Sequence, residues 1–414
     1  MGIFDFIRGK TQTTAAPAGE TRSLADPSAE LFTLLGGAVP ASSGASVNPS
    51  TAMACTALRC AVESIAESVA TLPAVTYERG SGDSRTRATD HPVFDLLRHE
   101  ANPWTPANML LEAVTRDALL WGNGYALVVR DGAGTPRELH RIHPTRVDVT
   151  ADETTGEPKY TITEPGGQQR AVIWQDLVHI RAPGTVGIKG QSPVIECREA
   201  IGLCLTIERH VAKLFGRGGR PAGALRFKTK LGNEVATRIK ASWQSAFGGE
   251  NAGGGTAVLE EDAEYQPIQL SSVDAQTLEL WAFSVLEIAR IYRVPPAMLM
   301  DFSRATWTNA ETGGQQFLSY ALQRWLDVWT GEIRLKLFKP DERDRFYTEF
   351  LTDALLRSDF ATRATAYGKY RSMGVMTANE VRAGLNLPPL PGGDVLQNPF
   401  TTSNTSTGGP TDGK

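Results

Sequence analysis

The chain has 414 residues, 41% of them hydrophobic and 21% charged, with a formal net charge of -4. That length suits two or three domains with a sizeable core, and the balance excludes a disordered tail and a nucleic-acid binder that works through a large cationic excess. No apolar run reaches the roughly 18–20 residues of a membrane helix, and the opening MGIFDFIRGK lacks the order of a signal peptide, so neither insertion nor secretion is expected.

Residues 11 to about 50 are dominated by Ala, Gly, Ser, Thr and Pro and predict a mobile arm. The apolar cluster Ile3, Phe4, Phe6 and Ile7 ahead of it suits either docking on a neighbouring subunit or an ordered N-terminal turn. From Pro49, with Ser50 or Thr51 as cap, Ala54, Leu58, Ala61, Val62, Ile65, Val69 and Leu72 form one helical stripe up to Pro73. A strand AVTYER follows, then a short helix, a proline-marked break and a longer helix carrying Leu110, Leu111, Val114 and Ala118, which stops before Gly122 and Gly124. Tyr125, Leu127 and Val129 then alternate as a half-buried strand does. Short strands continue through ELHRIHPTRVDVT, PKYTIT and QRAVIWQDLVHIRA, with DGAG, TTGE and PGG as turns, making residues 73–185 a mixed α+β unit.

Ser192 as cap and Pro193 at the first helical position open a long helix, whose stripe Cys197, Ala200, Ile201, Cys204, Ile207, Val211, Leu214 and Phe215 runs to Gly216. Its length of about 24 residues gives a rod of roughly 36 Å. The opposite face, with Arg198, Glu199, Glu208, Arg209 and Lys213, suits a rod packed beside similar rods. The four cysteines, Cys55, Cys60, Cys197 and Cys204, form no CxxC and sit in apolar helical patterns, where buried thiols are expected rather than ligands or bridges, as in a reducing cytoplasm. A small α/β insert follows: RPAGALRFK as strand, LGNEVATRIKASWQSAF as a helix with Val235, Ile239, Trp243 and Phe247 on one face, GGENAGGG as turn, and TAVLEEDAEYQPIQL returning as strands.

The most informative stretch spans residues 271–338. Leu278, Trp281, Ala282, Val285, Ile288, Ala289 and Tyr292 mark a helix capped by Ser271 or Asp274, and it ends near Arg293 because Pro295 and Pro296 lack the donor the ladder needs. Leu318, Ala321, Leu322, Trp325, Trp329 and Ile333 mark a second helix, from Gly313 and Gly314 to about Phe338. The intervening PPAMLMDFSRATWTNAET is too apolar for a solvated turn, and is either a buried connection or a functional loop. FYTEFL then reads as a strand, and LRSDFATRATAYGKYRSMG and MTANEVRAGLNLPP as two short helices, the second opened by a Thr377/Glu380 capping box. The last segment, from PLPGGD onward, is a polar Gly/Pro-rich tail with no expected order.

Chemistry is scarce. HRIH (His140 to His143) sits between strands without a nearby carboxylate or third ligand, so a surface or satisfied histidine pair is expected rather than a metal site. GTVGIKGQS fails the phosphate-loop pattern because Gly190 follows Lys189, and FGRGGRP lacks the context of a dinucleotide fingerprint. Glu260, Glu261 and Asp262 read as a solvated turn, GxSxG is absent, and no catalytic, metal or cofactor set emerges.

Three segments in this order, SPVIECREAIGLCLTIERHVAKLFGRGGRPAGAL, SSVDAQTLELWAFSVLEIARIYRVPP and MTANEVRAGLNLPPLPGGD, together with SRATWTNAE, resemble the portal proteins of tailed bacteriophages, in the short form of long-tailed phages. The resemblance covers residues 50 to 395 or so. It implies an α+β portal fold: a flexible arm at 1–48, a mixed wing at 49–190, stem helices at 191–218 and 272–293 around a clip at 219–271, a tunnel loop at 294–312, a wing helix and strand at 313–357, a helical crown at 358–390 and a disordered tail at 391–414. It also implies a non-enzymatic homo-oligomer without cofactors, usually a dodecameric ring at one capsid vertex of the virion, assembled in the host cytoplasm. Double-stranded DNA passes through such a ring in packaging and ejection, and its partners are the terminase large subunit, a head-tail adaptor and the major capsid protein; the particle is a virus or a gene-transfer particle.

DNA in such a channel must slide, and each phosphate neutralised by Lys or Arg would act as a brake. The net charge of -4 and the single cation of the loop, Arg304, suit that need. By this resemblance Arg304, Trp307 and Asn309 face the channel or its rim, unless Trp307 is a packing anchor; Arg217, Arg220, Arg226, Lys228 and Lys230 either contact motor or adaptor or form a solvated basic face. Two other readings stand beside it: a helical oligomeric scaffold or adaptor of a virus-like particle without a DNA channel, and a nucleic-acid-processing enzyme, which the missing metal and nucleophile sets disfavour.

Overall fold

A computed structural model of the chain describes residues 39–80, 84–184, 187–216, 223–226, 232, 234–239, 241, 264–267, 272–302, 313–352, 360–385 and 387–396. The chain divides into two compact units, Met1–Glu63 with Ala118–Asn123 and Lys189–Tyr292, and Ser64–Asp117 with Gly124–Ile188 and Arg293–Lys414.

In the first unit, residues 39–48, expected in the mobile arm, are ordered. Strands Val39–Pro40 and Ser46–Val47 pair antiparallel, and this hairpin lies so close to helix Arg198–Gly216 that a Cβ on Gly202 would collide with Ala41. The first helical cap is Asn48, not Ser50 or Thr51: Asn48 Oδ1 accepts from the Thr51 N–H at 2.7 Å, and Thr51 Oγ1 accepts from the Asn48 N–H at 2.9 Å. The single helix expected from Pro49 is two, Pro49–Ala52 and Thr56–Thr71. Between them Ala54 N–H and Cys55 N–H donate three residues back, to Thr51 and Ala52, which shifts the phase so that Ala54, expected in the stripe, is exposed while Ala52 and Cys55 are buried. The rod opened by Ser192 is broken likewise. Ser192 Oγ caps Pro193–Glu196 by accepting from Ile195 N–H, but Cys197, at φ -101° and ψ 23°, interrupts the ladder before Arg198–Gly216.

Gly122 and Gly190 explain each other. Gly122 has φ +78°, and a Cβ there would overlap the backbone of Gln191; a Cβ on Gly190 would overlap the Gly122 carbonyl. Asn123 locks the crossing, its Nδ2 donating to Gly190 O at 2.8 Å and its Oδ1 accepting from Gly190 N–H at 2.6 Å. The glycines of GTVGIKGQS thus include one that serves backbone packing.

The second unit contains three three-stranded sheets, two of them antiparallel throughout. Ala74–Arg79 lies between Phe346–Phe350 and Arg85–Arg87, Asn123–Arg130 lies between Leu177–Arg181 and Pro136–Ile142, and Pro158–Thr163 lies between Gln169–Val172 and Val147–Ala151. Tyr125, Ile142, Val149, Tyr160, Ile162 and Leu177 form one buried cluster. Helix Gln323–Lys336 packs on strands Leu177–Arg181 and Phe346–Phe350, and its buried Trp329 donates from Nε1 to the equally buried Thr115 Oγ1 at 2.9 Å. The turn before it, Phe317–Leu322, is π-helical. A π turn inserts extra chain into the helix, so Phe317 takes the buried place that simple periodicity assigned to Leu318. The Thr377 capping box forms as expected, Glu380 N–H donating to Thr377 Oγ1 at 3.1 Å and Thr377 N–H to Glu380 Oε2 at 2.7 Å. The first tail residues are tethered, not free: Asn379 Nδ2 donates to Leu390 O and Asp394 Oδ1 at 3.0 and 2.9 Å.

Two predictions follow from local geometry. Gly122→Ala places an L side chain at positive φ against backbone that cannot move aside, so we expect a loss of at least ~1–3 kcal/mol in denaturant unfolding. His91 caps helix Pro92–Arg98, its Nδ1 accepting from Val93 N–H at 3.2 Å, with its ring against Phe338 and Phe346. Burial, aided by Lys339, holds its pKa below the ordinary 6.5 in spite of Glu342. The unfolded chain therefore binds the proton first on acidification, and stability present above 6.5 is lost as the pH falls below it. Melting temperatures from neutral pH to about pH 5 should show this slope, and His91→Asn, which caps without titrating, should flatten it.

Candidate assembly and channel surfaces

Helix Ser272–Tyr292 packs against helix Arg198–Gly216, yet it buries only one end. Ser284, Ile288, Ala289 and Tyr292 are buried, and Tyr292 hydroxyl donates to Leu119 O at 3.3 Å. Towards the N-terminal end the apolar stripe is out in the open: Leu278 is 52% exposed, Leu280 44%, Trp281 37% and Phe283 46%. At roughly 100° per residue these four point around the whole circumference, at about 0°, 200°, 300° and 140°. A helix that is apolar all round belongs in an interior. The expected stripe contained Leu278 and Trp281 but missed Leu280 and Phe283; the signal was the run LELWAF, in which Glu279 alone is charged. Asp274, one of two expected caps, lies inside the first turn, because the helix starts at Ser272; Ser271 lies outside the described residues.

The helix stops where the prolines require. Arg293 takes a left-handed φ of 56°, Pro296–Leu299 forms one 3₁₀ turn, and Met300 is again left-handed at 61°. Two non-glycine residues in that region within eight positions mark a constrained path. Leu299 is buried, whereas Met300 and Phe302 are exposed.

Of the expected site residues, Arg304, Trp307 and Asn309 lie outside the described residues, as do Arg217, Arg220, Lys228 and Lys230. Arg226 ends strand Gly223–Arg226, opposite Glu264 of the antiparallel strand Glu264–Pro267, so the insert has the expected strand pair. Its helix is represented by residues 234–239, while Trp243, Phe247 and the acidic run Glu260 to Asp262 lie outside the described residues.

The histidines of HRIH are structural. His140 lies within strand Pro136–Ile142 and does have a nearby carboxylate, Nε2 standing 2.7 Å from Glu138 Oε2 with the ring against Trp104; alternate side chains on one strand share a face, which a search for sequential ligand motifs overlooks. His143 Nδ1 caps the turn Pro144–Arg146, 2.8 Å from Thr145 Oγ1. A deeper polar group, also missed, surrounds a cavity of about 450 Å³ lined by Tyr160, Trp174, His179, Glu332 and Lys336. Tyr160 hydroxyl is 3.0 Å from His179 Nδ1, and Lys336 Nζ donates to Trp174 O at 2.7 Å and stands over the Trp174 ring. Burial raises the Glu332 pKa and lowers that of Lys336, each opposing the attraction between them. These groups hold one another. Cys55, Cys204 and Glu208 are the one trio of metal-type donors found among the described residues, with donor atoms within 4.8 Å of one another. No helix among those residues is long and apolar enough to cross a membrane.

Comparison with known proteins identifies the family. A phage portal protein family profile matches residues 56–386. The portal protein of Enterobacteria phage HK97 is 29% identical over 347 residues, covering 82% of this chain and 80% of that protein. The probable portal protein of Streptomyces phage phiC31 is 28% identical over 407 residues, covering 95% and 87%. A chain from the neck of a native gene transfer agent particle, computed with C12 symmetry, shares the fold at a TM-score of 0.56 and 24% identity, covering 80% of this chain and 89% of that one. With most of its length matched by that profile, this chain belongs to the phage portal protein family.

Proposed function

We propose that the chain assembles with copies of itself into a closed ring, with twelve members as in the C12 neck, at one capsid vertex of a phage or phage-like particle. Double-stranded DNA passes through this ring in packaging and ejection, while the terminase large subunit, a head-tail adaptor and the major capsid protein bind its outside. The role is structural, not enzymatic. In this reading residues 191–218 and 272–293 are the stem, 219–271 the clip, 294–312 the tunnel loop, 358–390 the crown, and the regions 49–190 and 313–357 the wing. The observation that carries it is the exposed apolar circumference at Leu278, Leu280, Trp281 and Phe283. A ring places a neighbour on two sides of every subunit through a head-to-tail interface that closes, which gives cover to exposed apolar side chains that point in several directions.

Electron microscopy of the purified protein, classified by rotational symmetry, with its mass in solution, tests the ring. Rings with a hole wide enough for duplex DNA support it; a closed two-fold dimer with the stem helices buried favours the channel-less adaptor. Trp281→Glu with Phe283→Glu should abolish the ring, since central apolar anchors of this kind contribute about 2 kcal/mol or more each, while the monomer's melting is unchanged. Rings that persist would exclude this face as the interface.

The tunnel loop is read through Arg304, Trp307 and Asn309, which face the channel or its rim. Arg304→Ala and Trp307→Ala rings should assemble normally and package less DNA; wild-type yield would take the role away from those side chains. Arg217, Arg220, Arg226, Lys228 and Lys230 form the motor or adaptor contact, so reversing their charge should weaken terminase binding and leave the ring intact.

A further inference from the structure

Cys55 and Cys204 come from segments 149 residues apart, both fully buried, and their sulfurs stand 3.0 Å from one another. Cys55 immediately precedes helix Thr56–Thr71, and Cys204 lies within helix Arg198–Gly216. The separation discriminates between the two chemistries that cysteine pairs perform. Two thiolates on one tetrahedral zinc, at ~2.3 Å each, stand about 3.8 Å apart. At 3.0 Å the sulfurs are closer than that and in direct contact, so closing a bond between them needs only a small movement.

We infer that Cys55 and Cys204 are a redox-active dithiol that closes to an intramolecular disulfide under a peroxide oxidant and reopens under a thiol reductant. The two thiols are unequal. The hydrogen bond with Cys204 foremost, with help from the Leu58 and Ala57 amides at the helix start, holds the Cys55 pKa below the ordinary thiol value, while that same hydrogen bond and burial raise Cys204. Cys55, which immediately precedes helix Thr56–Thr71 where a helix start favours the thiolate, takes the role of attacking sulfur. Its sulfur takes one oxygen from hydrogen peroxide to give a sulfenic acid, the second oxygen leaving as water once protonated. Cys204 sulfur then attacks Cys55 sulfur, the S–O bond breaks, and the hydroxyl leaves as a second water with the Cys204 proton. The two thiols lose two hydrogens and two electrons, and one peroxide becomes two waters. Glu208, whose Oε1 is 3.9 Å from Cys204 Sγ and 3.5 Å from Thr56 Oγ1, is placed to relay that proton. Burial raises its pKa above the ordinary carboxylate value.

The bridge would tie the start of helix Thr56–Thr71 to helix Arg198–Gly216 and remove freedom from the unfolded chain across the whole intervening stretch. A chain made in a reducing cell would carry the dithiol, and one exposed to an oxidising exterior the bridge.

The full-length protein is equilibrated with hydrogen peroxide or with dithiothreitol, alkylated after acid quenching, and mapped by peptide mass. The expected product in the peroxide sample is a Cys55–Cys204 linked peptide, with Cys60 and Cys197 unlinked, a melting temperature several degrees above the reduced form, and full reversal by dithiothreitol. Cys55→Ser and Cys204→Ser should abolish the linked peptide and the shift, and Cys60→Ser should leave both. The reversal in the natural chain stands without the variants, should either fail to fold. Both cysteines alkylated after equilibration below the melting temperature would overturn the inference. So would a linkage dominated by Cys60 or Cys197, or one zinc ion bound per reduced chain and lost in both variants.

Discussion

Apolar surface in water has to be covered, and the helix Ser272–Tyr292 covers only part of its own. Fully burying a large apolar side chain contributes about 1.5–3 kcal/mol. The four exposed ones, each near half-exposed, therefore leave roughly 3–6 kcal/mol per chain to be gained in an assembly. That figure is comparable to the lower range of the cost of bringing two proteins together, and in a ring every subunit meets two neighbours. The geometry thus favours many copies over one, and neighbours on opposite sides over a single partner.

The other end of the same helix is held firmly. Tyr292, Ile288 and Ala289 are buried, Ser284 hydroxyl donates back to Trp281 O at 2.7 Å, and within the same unit Gly122 and Gly190 cross backbone to backbone. Firm support at the C-terminal end lets the exposed end be presented in a fixed direction. The chain then leaves through Arg293 and Met300, both left-handed, towards the segment read as the tunnel loop.

A protein that conducts a polyanion should hold few sites that grip it. Four of the described histidines serve the fold: His91 caps a helix, His143 caps a turn, His140 pairs with Glu138, and His179 joins Tyr160. Lys336, a buried cation, is used on Trp174 and Glu332.

Much of the fold was legible because it is local. The Thr377 capping box, the Ser192 cap with Pro193 behind it, the halt at Pro295, the stop before Gly122 and the strands from Tyr125 to Leu177 all rest on residues within a few positions of one another, where hydrogen-bond supply is fixed by the chain itself. The alternation expected at Tyr125, Leu127 and Val129 does not hold, since Ala126 and Val128 are buried and Val129 is exposed. The family was legible for a similar reason, as an ordered set of such segments. What sequence could not decide depends on partners far along the chain. The turn at Met53 to Cys55, the break at Cys197 and the π turn at Phe317–Leu322 shift the phase of helices whose apolar spacing looks continuous. Trp329 finds Thr115 across 214 positions, Gly190 finds Gly122, and Cys55 finds Cys204 across 149. Of the candidate site, sequence named the helix and the loop but not which part of the helix is uncovered. Periodicity reports that a face is apolar; only packing of the whole chain determines which apolar faces remain for another molecule to bury.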